Sequence, residues 1–321
     1  MNKLLLIGGS GFVGSQMVAS MGTDFTIVSH GRDYDVKNAE QMIKLITMEK
    51  PDLVVLLAAV STIAESFSKP FETYEVNFKG TLNVLMALRE CDFHGRMLYV
   101  SSSEVYGLLS EHELPVSESR PLRPLSPYAV SKIASEAICY QWSQTENFEI
   151  VLARPFNHIG LGQSERFAIA NFARQIAAIK LGLSEPIIYV GDIDTTRDFT
   201  DVRDVVLAYR SLLMDGNNGE VYNVCSGVER SIRFLIERMC DLAGVVVELR
   251  TDTARLRASE QRRVCGSYSK LFADTGWNPS FAIDQTLSDI VNSWVVRLSG
   301  DSECKRKPVR LRAALPGLYP R

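Results

Sequence analysis

Apolar residues in this chain fall into short unbroken runs, separated by longer stretches where they recur every three or four positions. The runs are residues 4–7 (LLLI), 25–28 (FTIV), 53–57 (LVVLL), 97–100 (MLYV) and 150–153 (IVLA). Each is too short for a helix and apolar on both sides of a pleat, the pattern of a strand buried on both faces. Helical periodicity covers roughly 11–21, 38–49, 71–90 and 127–146. Strands alternating with amphipathic helices predict an α/β fold, a doubly wound, Rossmann-like parallel sheet with helices on both faces.

The second half is less regular. Residues 156–197 read as loop-rich around one long helix near 165–181, and 220–224 (EVYNV) as a strand. Helical patterns return at 202–214, 230–243, 268–275 and 283–298, and no Pro/Gly/Ser-rich linker divides the chain. These patterns predict a dinucleotide-binding domain over 1–157, to which 196–226 returns. A smaller lobe, built from 158–195 and 227–299, is expected to pack on it. Residues 300–321 carry six basic and two acidic side chains without helical period and read as an atypical tail.

Composition narrows the class. A chain of 321 residues that is 46% apolar can bury a large core, and its net charge of −3 argues against nucleic acid as a partner. Six cysteines without a C-x-x-C pair and four scattered histidines suggest neither a metal site nor a disulfide framework, so a reducing cytoplasm is expected. The run Leu4–Ile7 is too short for a signal peptide or a membrane span.

That first run leads into GGSGFVG, residues 8–14, and then a helical pattern. Glycines between strand and helix let a backbone approach a pyrophosphate, and the helix start supplies unpaired N–H groups. Gly8, Gly11, Phe12, Val13 and Gly14 are therefore candidate cofactor contacts. After the second run an acid would bind the ribose hydroxyls of NAD, but here stand Ser29, His30 and Arg32. Arg32 suits a 2′-phosphate, so NADP(H) is favoured, with NAD(H) left open. Asp35 is a candidate acceptor for the adenine amino group.

The fourth run leads into SSSEVYG (101–107), which a doubly wound sheet delivers to its ligand-binding edge. Further on, SPYAVSK (126–132) starts a helix with Ser126 as N-cap and Pro127 at the first position. Tyr128 and Lys132 then share one face. A carbonyl reduced by hydride needs a proton on its oxygen, and a phenol whose pKa a nearby ammonium lowers can supply it. A serine hydroxyl can hold that oxygen. Ser102, Tyr128 and Lys132 form this set, with Lys132 also gripping the nicotinamide ribose.

GGSGFVG, LLAAV (56–60), NFKGTLNVL (77–85), SSSEVYG and YAVSK together resemble the extended short-chain dehydrogenase/reductase family, over about residues 1–299. The resemblance implies action on a nucleotide-sugar, usually by a homodimer. It places Ser102, Tyr128 and Lys132 on catalytic positions and Ala58 and Asn77 beside the cofactor. ARPFNHIGLGQ (153–163), VGDIDTTRDFTDVRDV (190–205), VYNVCSG (221–227) and RASEQRRVCGSYSKL (257–271) are similar to reductases of GDP-6-deoxy-4-keto-D-mannose that form GDP-D-rhamnose. By that similarity Asn157 and Arg197 contact the diphosphate, and Arg257 and Glu260 the nucleoside. Ser103 and Glu104 lie by the sugar, where 4,6-dehydratases carry an acid and a base. A dehydratase or 4-epimerase therefore stays open as the alternative, and a non-catalytic nucleotide sensor is disfavoured by the complete Ser–Tyr–Lys set. Leu161 and Ala258 stand where relatives often have proline.

Overall fold

Lys3–Ile7 (β1) alternates its side chains between two cores, and this sets the layers of the fold. Leu4 and Leu6 enter one cluster while Leu5 and Ile7 enter another on the opposite face. In the computed structural model, which describes residues 1–252 and 261–306 (side chains to 300), β1 is followed by α1 (Phe12–Met21), β2 (Thr26–His30), α2 (Ala39–Glu49) and β3 (Leu53–Leu56). Three helices come next: α3 (Ile63–Ser68), α4 (Pro70–Tyr74) and α5 (Gly80–Glu90). Then come β4 (Arg96–Val100), α6 (Pro127–Thr145), β5 (Glu149–Pro155) and β6 (Asn157–Ile159).

The later elements are α7 (Ala168–Lys180), β7 (Ile187–Val190), β8 (Thr196–Asp201), α8 (Val202–Asp215) and β9 (Val221–Val224). The chain continues through β10 (Glu229–Ser231), α9 (Ile232–Ala243), β11 (Glu248–Thr251), α10 (Ser269–Thr275) and α11 (Ile283–Arg306). Six strands form one parallel sheet in the order β2-β1-β3-β4-β5-β9. One apolar layer joins it to α1 and α8, through Met17, Val205, Val206 and Tyr209. The other joins it to α2, α5 and α6, through Met42, Leu45, Val84, Leu88 and Trp142. This is the doubly wound α/β fold that the hydrophobic runs predict.

A separate apolar cluster holds α7, α9 and α11 against Ile188, Val190 and Phe199. Here β10-β8-β6 and β11-β7 form two small sheets. Within 196–226, α8 and β9 belong to the layers of the large sheet, while β8 pairs with β6 and β10. Among the described residues, no helix is long and apolar enough to cross a membrane.

Two expectations gain detail and one needs correction. Residues 156–197 are loop-rich around one helix, α7, as expected, but also hold the short strands β6 and β7, and β8 starts at Thr196, its polar members (TRDFTD) hiding the period. Residues 71–90 are helical throughout, as expected, but divide into α4, a π-helical turn over Glu75–Lys79, and α5. Helix α11 does not stop near 298; it runs to Arg306, into the segment read as a tail.

Candidate active site

The ends of β1, β2 and β3 are knitted together at the glycine turn. Gly8 and Gly9 donate to the His30 carbonyl at 2.8 and 2.9 Å, and Leu57 and Ala58 donate to that of Ile7 at 2.8 and 3.0 Å. Gly8 has φ +87°, and a Cβ there would lie 2.4 Å from the Ala58 nitrogen. A Cβ on Gly14 would lie 2.3 Å from the Gly9 oxygen. Gly11 differs: its Cβ would meet only the Gly8 oxygen, at 3.5 Å. Protein packing demands glycine at 8 and 14, whereas the side of Gly11 is open. Helix α1 starts there with no side-chain cap and no acid in its first turn. An open backbone face beside an uncapped helix start fits a dinucleotide's pyrophosphate. Val13 packs on the core behind it, and Phe12 stacks on His158 with ring centroids 6.0 Å apart.

Strand β2 ends at His30, opposite Ile7. Gly31 lies against Ser10, whose Oγ its Cβ would meet at 2.3 Å, so the following residues sit over the glycine turn. Arg32 is exposed, and no described acid pairs with it. The Glu49 carboxylate lies 3.4 Å from the His30 ring at the strand end, and Asp33 follows Arg32. Asp35 accepts from the Lys37 N–H at 3.0 Å and lies 3.7 Å from its ammonium.

Asn77 is buried in the π-helical turn. Its amide accepts from the Val60 N–H at 2.8 Å and donates to the Val60 carbonyl and the Ser131 hydroxyl, at 3.2 and 2.9 Å. The irregular turn leaves the Asn77 carbonyl to side chains, and Thr81 and Ser135 both donate to it.

Helix α6 begins as predicted, with the Ser126 hydroxyl accepting from the Ala129 N–H at 3.1 Å. Tyr128 and Lys132 are both buried on its inner face. Ser102 caps the 3₁₀ turn Ser103–Tyr106 by accepting from the Glu104 N–H at 3.2 Å. The Lys132 ammonium donates to the Val100 carbonyl at 2.8 Å and lies 5.2 Å and 5.8 Å from the Tyr99 and Tyr128 ring centres.

The expected lowering of the phenol pKa is not found. Burial pushes Tyr128 up to about 12, a hydrogen bond with Ser102 opposes this, and the Glu104 charge adds to it. Desolvation instead presses Lys132 down to about 8, with Glu136 opposing. The reason is geometric: the ammonium turns to a backbone carbonyl, and burial outweighs attraction between the two groups.

Arg197 on β8 donates to the backbone carbonyls of Thr196 and Gln261 at 2.7 and 3.1 Å. Burial lowers it and Glu104 raises it, while crowding raises the Glu104 carboxyl and Arg197 lowers it. The two charges act on one another, and Glu104 is exposed to water. Asn157 is exposed on β6, paired with Phe199 two positions along β8 from Arg197. Ser103 is half-buried in the 3₁₀ turn. Arg257 and Glu260 lie outside the described residues.

The motifs left some neighbours unseen. Gln261 bridges from the smaller lobe to the loop after Glu104, accepting from the Leu109 N–H at 2.7 Å. Glu136, on the face of Lys132, forms a buried ion pair with Arg154. The spacing Lys-x-x-x-Glu in KIASE was the only trace of this pair, since Arg154 sits inside an apolar strand.

Known proteins resemble this chain along most of its length. The family model described as GDP-mannose 4,6 dehydratase matches residues 22–290. The GDP-6-deoxy-D-mannose reductase of Pseudomonas aeruginosa is 45% identical over 299 residues, 92% of this chain and 98% of that one. The GDP-6-deoxy-D-talose 4-dehydrogenase of Aggregatibacter actinomycetemcomitans is 26% identical over 92% of this chain and 99% of its own. The solved structure of RMD from Pseudomonas aeruginosa complexed with NADPH superposes with a TM-score of 0.89 at 44% identity, over 92% of this chain and all of that one. With its glycine turn, its Ser–Tyr–Lys site and a match along most of its length, the chain belongs to the GDP-mannose 4,6 dehydratase family of extended short-chain dehydrogenase/reductases.

Proposed function

We propose that this protein reduces the 4-keto group of GDP-4-keto-6-deoxy-mannose with NADPH and releases GDP-D-rhamnose. The observation that carries this reading is the 45% identity to the Pseudomonas reductase across nearly its full length. The solved relative with NADPH supports the choice of reductant. So does Arg32, an exposed guanidinium two residues past the end of β2 that suits a 2′-phosphate. NAD(H) is the weaker candidate.

Gly8, Gly11, Phe12, Val13, Gly14, Arg32, Asp35, Ala58 and Asn77 would hold the dinucleotide, and Lys132 its nicotinamide ribose. When bound, a reduced nicotinamide supplies the hydride for C4. Tyr128 gives its proton to O4, and burial keeps the phenol loaded with that proton at neutral pH. The Ser102 hydroxyl holds O4 and offsets charge growing there. The Lys132 ammonium favours the phenolate left behind. Arg197 and Asn157 hold the diphosphate, Arg257 and Glu260 the nucleoside, and Ser103 and Glu104 border the sugar.

The separate apolar cores support a division into 1–157 with 196–226, and 158–195 with 227–299. Exposed Phe71, Tyr74, Val130 and Tyr140 on the contacting helices α4 and α6 support a homodimer. A cytoplasmic location completes the reading.

A second reading, a 4,6-dehydratase or 4-epimerase that recycles its cofactor, is favoured by the raised Glu104 carboxyl, which suits proton abstraction. One assay separates them. Purified protein is given GDP-4-keto-6-deoxy-mannose with NADPH or NADH, the loss of reduced nicotinamide is followed, and the product is identified by NMR. One equivalent of NADPH lost per GDP-D-rhamnose formed supports the reductase. No loss, with GDP-mannose dehydrated instead, transfers the assignment to the second reading.

A further inference from the structure

A buried ion pair lies beneath the Tyr128–Lys132 face, and the scheme above leaves it unused. Glu136 follows Lys132 by one helical turn, so both side chains rise from one face of α6. They are 7% and 4% exposed. The Glu136 carboxylate accepts from the Arg154 guanidinium twice, at 2.9 Å from Nε and 2.6 Å from Nη2. The Ser101 hydroxyl donates to the same carboxylate. The Ser101 N–H donates to the Ala153 carbonyl at 2.7 Å, so the residue before Ser102 is pinned on both sides.

A buried ion pair is a poor source of stability, because apolar side chains of the same volume hold a fold as well or better. The place of this pair gives it another purpose. Four titratable side chains face Lys132: Tyr99 from β4, and Tyr128, Glu136 and Cys139 from α6. Burial keeps Tyr99, Tyr128 and Cys139 neutral. Glu136 is the anion in that set, and Arg154 from β5 holds it in place. The Glu104 charge also acts on Tyr128. The charges of Lys132, Arg154 and Glu136 sum to one positive, which complements the phenolate formed when Tyr128 gives up its proton.

We infer that Glu136 is a positioning residue: it fixes Ser101, and through it Ser102, and faces Lys132 with the negative charge that lets a buried ammonium keep its proton. The kinetic part of this inference rests on the reductase reading; the electrostatic part does not.

The test begins with ¹³C-lysine-labelled protein without cofactor. The Lys132 resonance, assigned with Lys132→Arg, is titrated by NMR in wild type, Glu136→Gln, Glu136→Asp and the pair Glu136→Gln with Arg154→Met. The paired variant leaves no orphaned guanidinium and decides the matter if the single Gln variant fails to fold. Removing the facing charge lowers the Lys132 midpoint by about one pH unit or more in Glu136→Gln, by a smaller but measurable amount in the paired variant, which also loses the Arg154 cation, and the Asp variant stays near wild type. The alkaline limb of kcat for NADPH oxidation moves by the same amount, with KM for the keto sugar changing less than kcat. A midpoint and alkaline limb that both match wild type in the Gln variants overturn the inference. If wild type fails to oxidise NADPH with the keto sugar, the reductase reading falls, and the NMR titration still decides whether Glu136 governs Lys132.

Discussion

Asn77 and Ser131 meet side chain to side chain, the Asn77 amide donating to the Ser131 hydroxyl at 2.9 Å across 54 residues of sequence. The bond joins the π-helical turn to the helix that carries Tyr128 and Lys132. The same amide holds Val60 through both its N–H and its carbonyl. Asn77→Ala leaves these buried groups unpaired, at about 1–3 kcal/mol for an unsatisfied group. Denaturant unfolding is expected to show a loss of about 2 kcal/mol, together with weaker NADPH binding. An unchanged midpoint removes Asn77 from this structural role.

The glycine turn separates packing from binding. In Gly11→Ala the new methyl meets only ordinary contact, so the thermal midpoint stays near wild type. The affinity for NADPH falls about tenfold or more, the cost of about 1.4 kcal/mol at a crowded pyrophosphate. Gly14→Ala behaves oppositely: its Cβ is driven to 2.3 Å from the Gly9 oxygen, and overpacking lowers stability by about 1–3 kcal/mol. Calorimetry and fluorescence titration of both variants check the contrast.

Arg32→Ala tests the cofactor preference. Loss of an arginine facing a phosphate is expected to weaken NADPH by about tenfold or more while leaving NADH little changed. Equal effects on the two nucleotides would place the 2′-phosphate elsewhere.

Tyr128→Phe removes the proton donor, and turnover is expected to drop about 10²–10⁴-fold with NADPH affinity retained. The pH profile of wild type follows from its neighbours. Tyr128, at about 12, keeps its proton through neutrality, while Lys132 loses its own near 8. Reductive kcat therefore declines above about pH 8. Stability moves the other way: between about 8 and the ordinary lysine value of 10.5 the unfolded chain binds more protons at this group, so its contribution rises with pH. Lys132→Met is expected to abolish that rise in thermal melts from pH 8 to 10.

Local chemistry determined what the sequence could announce. The runs LLLI, LVVLL and MLYV are apolar on both faces, which only a sheet covered on both sides satisfies, and they became β1, β3 and β4. Ser126, Pro127 and the four-residue step from Tyr128 to Lys132 defined the start and face of α6 without reference to any other element. The glycine spacing likewise marked the tight turn between β1 and α1. Tertiary structure decided the rest, because it depends on which distant groups become neighbours and how much water they lose. Strand β8 forms from polar residues because β6 and β10 lie beside it. The Lys132 ammonium donates to a backbone carbonyl, and burial, which outweighs its pull on the phenol, raises Tyr128. Periodicity reports which face of an element is apolar; desolvation and long-range partners, which set the charges of this site, exist only once the chain has folded.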